Sequence, residues 1–148
     1  MSNKSRMQEF YDSRAKMDQT KHLSLVHPDC VYRIVGSGML HPFTREWKTL
    51  SEIEVAATAL FEAWDMSQLE TVSIHESGDT IYAHRRGNVV FRPDNSSLPT
   101  EFIDKLTFKD GAVIEYLQFV DTFAVAHFLS ERDPNFDWRI TRVSAEPR

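Results

Sequence analysis

The chain carries a single cysteine, Cys30, among its 148 residues. It therefore has no internal disulfide, and a reducing cytoplasmic setting is the default expectation. Cys30 stands beside Val31 in apolar surroundings and reads as a packed thiol rather than a nucleophile. Long hydrophobic runs are missing as well: nothing approaches the ~18 apolar residues of a membrane span. The opening stretch MSNKSRMQEFYDSR has no apolar centre of the kind a signal peptide needs. Positive charge is in deficit, with a formal net charge of −5. That argues against nucleic acid, whose binders show a basic stripe. The six histidines, His22, His27, His41, His75, His84 and His127, have no metal-ligand spacing, and no HExxH or Cys/His cluster occurs. Nor is there a GxSxG, a P-loop or a GxGxxG. Neither a repeat nor a low-complexity tract divides the chain, so residues 1–148 read as one domain.

What is present is a change of period. Residues 6–18 have helical patterning, with Met7, Phe10, Tyr11 and Met17 near one face. Asp18 to His27 reads as a second short helix, ended by the HPD sequence because proline disfavours helix before it. CVYRIV is a short β-rich strand stopped by GSG, and MLHPFTREWK is a loop. The clearest helix is 50–64, where Leu50, Ile53, Ala57, Leu60, Phe61 and Trp64 recur at helical spacing. Thr49 with Glu52, or Ser51 with Glu54, has capping-box spacing at its start.

From there the period is two. SQLETVSIHES, TIYAHRRGNVVFRP, TEFIDKLTFKD and AVIEYLQFVDTF are four successive strands, joined by SGDT, DNSSLP and KDGA turns. They should pair in sequence as an antiparallel sheet. Helices first and strands afterwards give an α+β fold with helices on one face of the sheet. The core spans about 6–128, and 129–148 is a charged C-terminal extension.

Alternation places two carboxylates on apolar faces. In FIDKLTF, Asp104 shares its face with Phe102, Leu106 and Phe108. In the last strand, Asp121 shares a face with Val113, Leu117, Phe119 and Phe123. A buried carboxylate pairs, accepts hydrogen bonds, or raises its pKa and stays protonated. A raised pKa also suits acid or base work at neutral pH. Arg33, in VYRIV, is the natural counter-charge: it either pairs with Asp104 or Asp121, or is left to bind an anionic ligand atom. His84 stands on a strand, where it is solvated, packed or turned to a cavity.

The element order resembles the cone-shaped nuclear transport factor 2-like superfamily over about residues 6–128. Within it, HPDCVYRIVGSG, HPF and FIDKLTFKDGAVIEYLQFVD look most like SnoaL-like polyketide cyclases and ketosteroid isomerase-like proteins. The resemblance implies a curved antiparallel sheet packed against N-terminal helices. It implies that Asp104 matches the protonated, oxyanion-binding Asp of the isomerases, and Asp121 the acid/base carboxylate of the cyclases. The isomerase's base Asp falls near Arg33, so that base is missing. Its oxyanion Tyr falls at about Phe10, beside Tyr11.

Three functions follow. The first is an enzyme without metal or organic cofactor, moving a proton next to a carbonyl of a small, partly apolar substrate by isomerisation or cyclisation. Asp121 and Asp104 are its catalytic candidates; Arg33, Tyr11, His84, Phe119, Trp64 and Phe102 are its substrate-binding candidates. The second is a non-catalytic binder of an acidic or apolar ligand. The third is an interaction module. A homodimer through the outer sheet face fits all three.

Overall fold

A computed structural model describes residues 1–132. Two helices open the chain, α1 (Asn3–Ala15) and α2 (Gln19–Ser24). Ser2 and Asp18 cap them by accepting from the Ser5 and Lys21 amides. Strand β1 (Val26–Ile34) follows, then a short 3-10 turn at Gly38–Leu40, β2 (Trp47–Lys48) and α3 (Thr49–Ala63). The long strands are β3 (Trp64–Ser77), β4 (Thr80–Phe91), β5 (Ser96–Lys109) and β6 (Ala112–Val120). A fourth helix, α4 (Thr122–Arg132), follows them. The expected C-terminal extension is thus helical through Arg132, and the rest of it lies outside the described residues. Among the described residues no helix is long and apolar enough to cross a membrane.

The six strands of the described residues form one sheet in the order β2-β1-β6-β5-β4-β3. The four long strands pair antiparallel in sequence, as their short connecting turns predict, and β1 adds parallel to β6. Asp110 and Gly111 take φ of 52° and 78° in the turn between β5 and β6, which is what a tight two-residue hairpin needs. Gly87 on β4 has another reason. A Cβ there would stand 2.3 Å from the Gln68 carbonyl oxygen, beside an irregularity in β3.

One face of the sheet packs against α1 and α3. Met7, Phe10 and Tyr11 of α1 meet Ile81 and Ala83 of β4, Leu106 and Phe108 of β5, and Val113 and Tyr116 of β6 in a continuous core. Cys30 is packed in it, and burial pushes its thiol up to about 12, with Glu115 adding to the effect. It is a structural thiol, as expected from sequence.

The faces of β5 are those predicted: Phe102, Asp104, Leu106 and Phe108 are all buried. Those of β6 are not. Phe108 pairs with Val113, but Thr107 pairs with Glu115, so Ile114 is an extra residue. This bulge inverts the alternation beyond it. Val113 points inward, but after the bulge Tyr116, Gln118 and Val120 take the inner face, while Glu115, Leu117 and Phe119 turn outward.

His22 makes the core sensitive to acid. It is 3% exposed, set against the Phe10 and Phe61 rings, with Nδ1 3.2 Å from Ser13 Oγ. Burial, aided by nearby Arg14, lowers its pKa to about 3. The unfolded chain therefore takes up a proton near pH 6.5 that the folded chain refuses until about pH 3. Between these values stability falls as pH falls, by up to roughly 1.4 kcal/mol per pH unit from this residue. Urea unfolding at a series of pH values should show that slope, and His22→Leu should flatten it. An unchanged slope in the variant would contradict the assignment.

Candidate functional site

Behind the sheet's inner face lies a cavity of about 100 Å³. Its walls are largely apolar: Ile34 of β1, Leu60 of α3, Trp64 and Met66 of β3, Phe102 of β5 and Val120 of β6. Val125 of α4 and Phe43 of the HPF loop also line it. Helix α4 is held in place by Phe128, whose ring lies 5.6 Å from Trp64 and 6.0 Å from Phe91.

The polar groups gather at one end. Tyr11, Arg14, Tyr32, Arg85 and Gln118 line the cavity, and Asp104 lies behind them with 0% exposure. Tyr11 Oη donates to Asp104 Oδ2 at 2.8 Å. Gln118 Nε2 donates to Asp104 Oδ1 at 3.2 Å and to Tyr116 Oη at 3.2 Å. Arg14 Nη1 donates to the same Tyr116 oxygen at 2.9 Å. The Arg85 guanidinium sits over the Tyr11 ring, its Cζ 3.6 Å from the centroid, and Nη1 donates to Thr71 Oγ1 at 2.8 Å.

Burial raises the pKa of Asp104 above the ordinary carboxylate value. Arg14 and the hydrogen bonds from Tyr11, Tyr116 and Gln118 work against that rise without cancelling it. Tyr11 and Tyr116 are pushed well above the usual phenol value. Burial is the main cause in both, and the nearby Asp104 adds to it. Both phenols therefore stay protonated at neutral pH, and Asp104 is the group in the cluster whose charge is poised to change.

The predicted residues divide cleanly. Asp104, Tyr11, Trp64 and Phe102 come together at this cavity. Asp121 does not. Strand β6 ends at Val120, and Asp121 is exposed, its Oδ1 accepting from the Ala124 amide at 3.0 Å at the start of α4. It is a helix cap, which corrects its expected place on the sheet's apolar face. Arg33 is no partner of either Asp: Tyr32 and Ile34 line the cavity, so Arg33 between them faces the opposite side, beside Leu117. The bulge puts Phe119 on the outer face, 46% exposed. His84 is also there, its Nε2 2.6 Å from Glu101 Oε2.

Sequence reading missed the two buried arginines, although the signals were present. Met7, Phe10, Tyr11 and Arg14 stand at i, i+3, i+4 and i+7 on one helical face. Arg85 continues the inner row of Ile81 and Ala83.

The SnoaL-like domain family matches over residues 7–116. The chain belongs to that family. Solved structures agree on the fold of this SnoaL-like domain. An NTF2-like protein from Burkholderia xenovorans LB400 is 13% identical, covering 84% of this chain and 93% of its own, with a TM-score of 0.67. A proposed isomerase from Rhodopseudomonas palustris is 11% identical over 89% and 98%, with a TM-score of 0.75. An LEH-like epoxide hydrolase from M. tuberculosis is 12% identical over 86% and 88%, with a TM-score of 0.68. At such identities the likeness is one of fold. A comparison with curated protein sequences finds no significant match.

The polar cluster carries a stability prediction. Tyr116→Phe removes the acceptor shared by Arg14 and Gln118, leaving buried donors without it. A loss of about 1–3 kcal/mol is expected in urea unfolding. A loss near zero would mean that the Tyr116 hydroxyl is not a structural acceptor.

Proposed function

We propose that this SnoaL-like domain is a cofactor-independent enzyme of isomerase or cyclase type, moving a proton next to a carbonyl of a small, partly apolar substrate. The observation that carries this reading is the Tyr11–Asp104 hydrogen bond at the end of an apolar cavity. Asp104 has no exposed surface, so it reaches a substrate only through Tyr11, which does line the cavity. Tyr11 oxygen takes the proton from the substrate carbon while its own hydroxyl proton passes to Asp104 Oδ2. The substrate becomes an enolate, Asp104 becomes neutral, and Tyr11 ends as it began. Return of the proton to a different atom completes an isomerisation; attack of the enolate on a second carbonyl gives cyclisation. The guanidinium groups of Arg14 and Arg85 supply the positive field in which an enolate forms. A raised pKa makes Asp104 a better match for this proton than an ordinary carboxylate. In this reading Tyr11 is the catalytic residue that touches substrate, and Asp121 serves only as a cap.

The test is deuterium exchange at the carbons beside the carbonyl of 4-methylpentan-2-one and of 4-methyl-2-oxopentanoate, followed by NMR in D₂O. Asp104→Asn and Tyr11→Phe should each slow the enzyme-dependent exchange by on the order of 10²–10⁴-fold. Asp121→Asn should leave it unchanged. Because Asp104 must be ionised to accept the proton, the rate should rise with pH through a pKa above the usual carboxylate range. Full exchange in Asp104→Asn would sink the reading. A second reading, a binder without turnover, is favoured by the complete enclosure of Asp104, and predicts ligand binding with no exchange in any variant.

We also propose that the domain is a homodimer through its outer sheet face. Tyr82, Ile103 and Phe119 are 42%, 45% and 46% exposed there, apolar area that a second copy would cover. Sedimentation should give a dimer, and Ile103→Asp a monomer. A monomeric parent protein would remove the proposal.

A further inference from the structure

The charges at the cavity do not balance. Arg14 and Arg85 are 8% and 5% exposed, and both line it. A guanidinium stays charged in a protein. Among the described residues the cavity has one carboxylate beside it, Asp104, and neither arginine forms an ion pair. The cavity end therefore has a net charge of +1 with Asp104 ionised and +2 with it neutral, counting two guanidiniums against one carboxylate.

Hydrogen bonding tells the same story. Arg14 gives Nη1 to Tyr116, and Arg85 gives Nη1 to Thr71, both neutral acceptors. The Nε atoms of both are buried and have no hydrogen-bond partner among the described residues. An unpaired donor on a buried cation is costly, so both guanidiniums are left under-satisfied by the protein around them. A carboxylate is the acceptor that matches a guanidinium edge in shape and charge.

We propose that this cavity takes its ligand by a carboxylate, with Arg14 and Arg85 as the recognition residues and the apolar walls enclosing a compact hydrocarbon body. Combined with the proton-transfer reading on which this extension rests, the substrate class is a small oxo acid: carboxylate toward the guanidiniums, carbonyl toward Tyr11. The cavity volume of about 100 Å³ suits a short acid rather than a polycyclic one. Ile34, Leu60 and Val120 leave the hydrocarbon part without polar partners, which fits an aliphatic or singly branched chain.

Calorimetry on the full chain tests this with a series of acids from acetate to hexanoate, 4-methylpentanoate included, each paired with its neutral amide. The acids should bind on the order of ten- to a hundredfold more tightly than their amides in the best-fitting pair. Arg85→Gln and Arg14→Gln should each cut that preference to within about threefold, and Arg85→Lys should restore part of it. Should the Gln variants fail to fold, NMR of the arginine Nε–H groups in the parent protein decides: both signals move on adding acid and stay still on adding amide. If no acid outbinds its amide, or the Nε–H signals respond equally to both, the proposal is overturned. Deuterium exchange separates it from the reading beneath it. Acid preference without exchange in any acid or ketone removes the catalysis and leaves the recognition. Exchange of a neutral ketone with no acid preference does the reverse.

Discussion

Taking one carboxylate out of water sets the terms for the rest of this site. Asp104 stands mid-strand on the inner face of β5 with none of its surface exposed. An isolated charge there would cost several kcal/mol even after relaxation. The protein answers with hydrogen bonds to both oxygens, from Tyr11 on one side and Gln118 on the other. Those partners have partners of their own. Gln118 also reaches Tyr116, Tyr116 accepts from Arg14, and Arg85 stacks on Tyr11. The cluster thus joins α1, β4, β5 and β6, and the residues that satisfy Asp104 are the same ones that line the cavity. Structural support and candidate chemistry are one set of groups. That is why a substitution in this cluster should be read for folding and for function separately.

The bulge at Ile114 is what makes the arrangement possible. Without it, Glu115, Leu117 and Phe119 would face inward, and Gln118 would point to the outer face. With it, Tyr116, Gln118 and Val120 face Asp104 and the cavity. A single inserted residue therefore converts an apolar strand face into a hydrogen-bonding one. Strict alternation read along AVIEYLQFVDTF has no means of registering this, because a bulge leaves no signature in residue type there. Alternation in β5 has no such interruption, and Asp104 was legible for that reason. The helix and strand order was legible too, since long runs of period 3.6 and period 2 differ plainly. The parallel pairing of β1 with β6 joins segments far apart in the chain and was not.

Asp121 shows the limit from another direction. Its sequence setting, after a strand of large apolar residues, suggested a pocket carboxylate. The chain instead starts α4 there, and the carboxylate caps the new helix. The stretch AVAHFLSER has helix formers and a weak apolar stripe, and was overshadowed by the strand before it. Asp121 still serves the site at one remove, because α4 carries Val125 over the cavity and Phe128 against Trp64. By sequence Arg33, between Val31 and Val35, is a candidate partner for the two Asp residues or for a ligand, and His84 is open between solvent, core and cavity. Register decides both: their strand neighbours Ile34 and Arg85 face in, so they face out.

The chemistry of this site depends on Asp104 being a buried carboxylate with a raised pKa inside a hydrogen-bonded cluster. The most direct measurement is a pH titration of ¹³C-labelled aspartate carboxyls by NMR, with Asp104 assigned by the signal lost in Asp104→Asn. The expected result is a midpoint clearly above the ordinary Asp value of about 3.9, and a chemical shift that Tyr11→Phe alters. A midpoint at or below the ordinary value, untouched by Tyr11→Phe, would mean that Asp104 is a plain structural anion and would contradict the account.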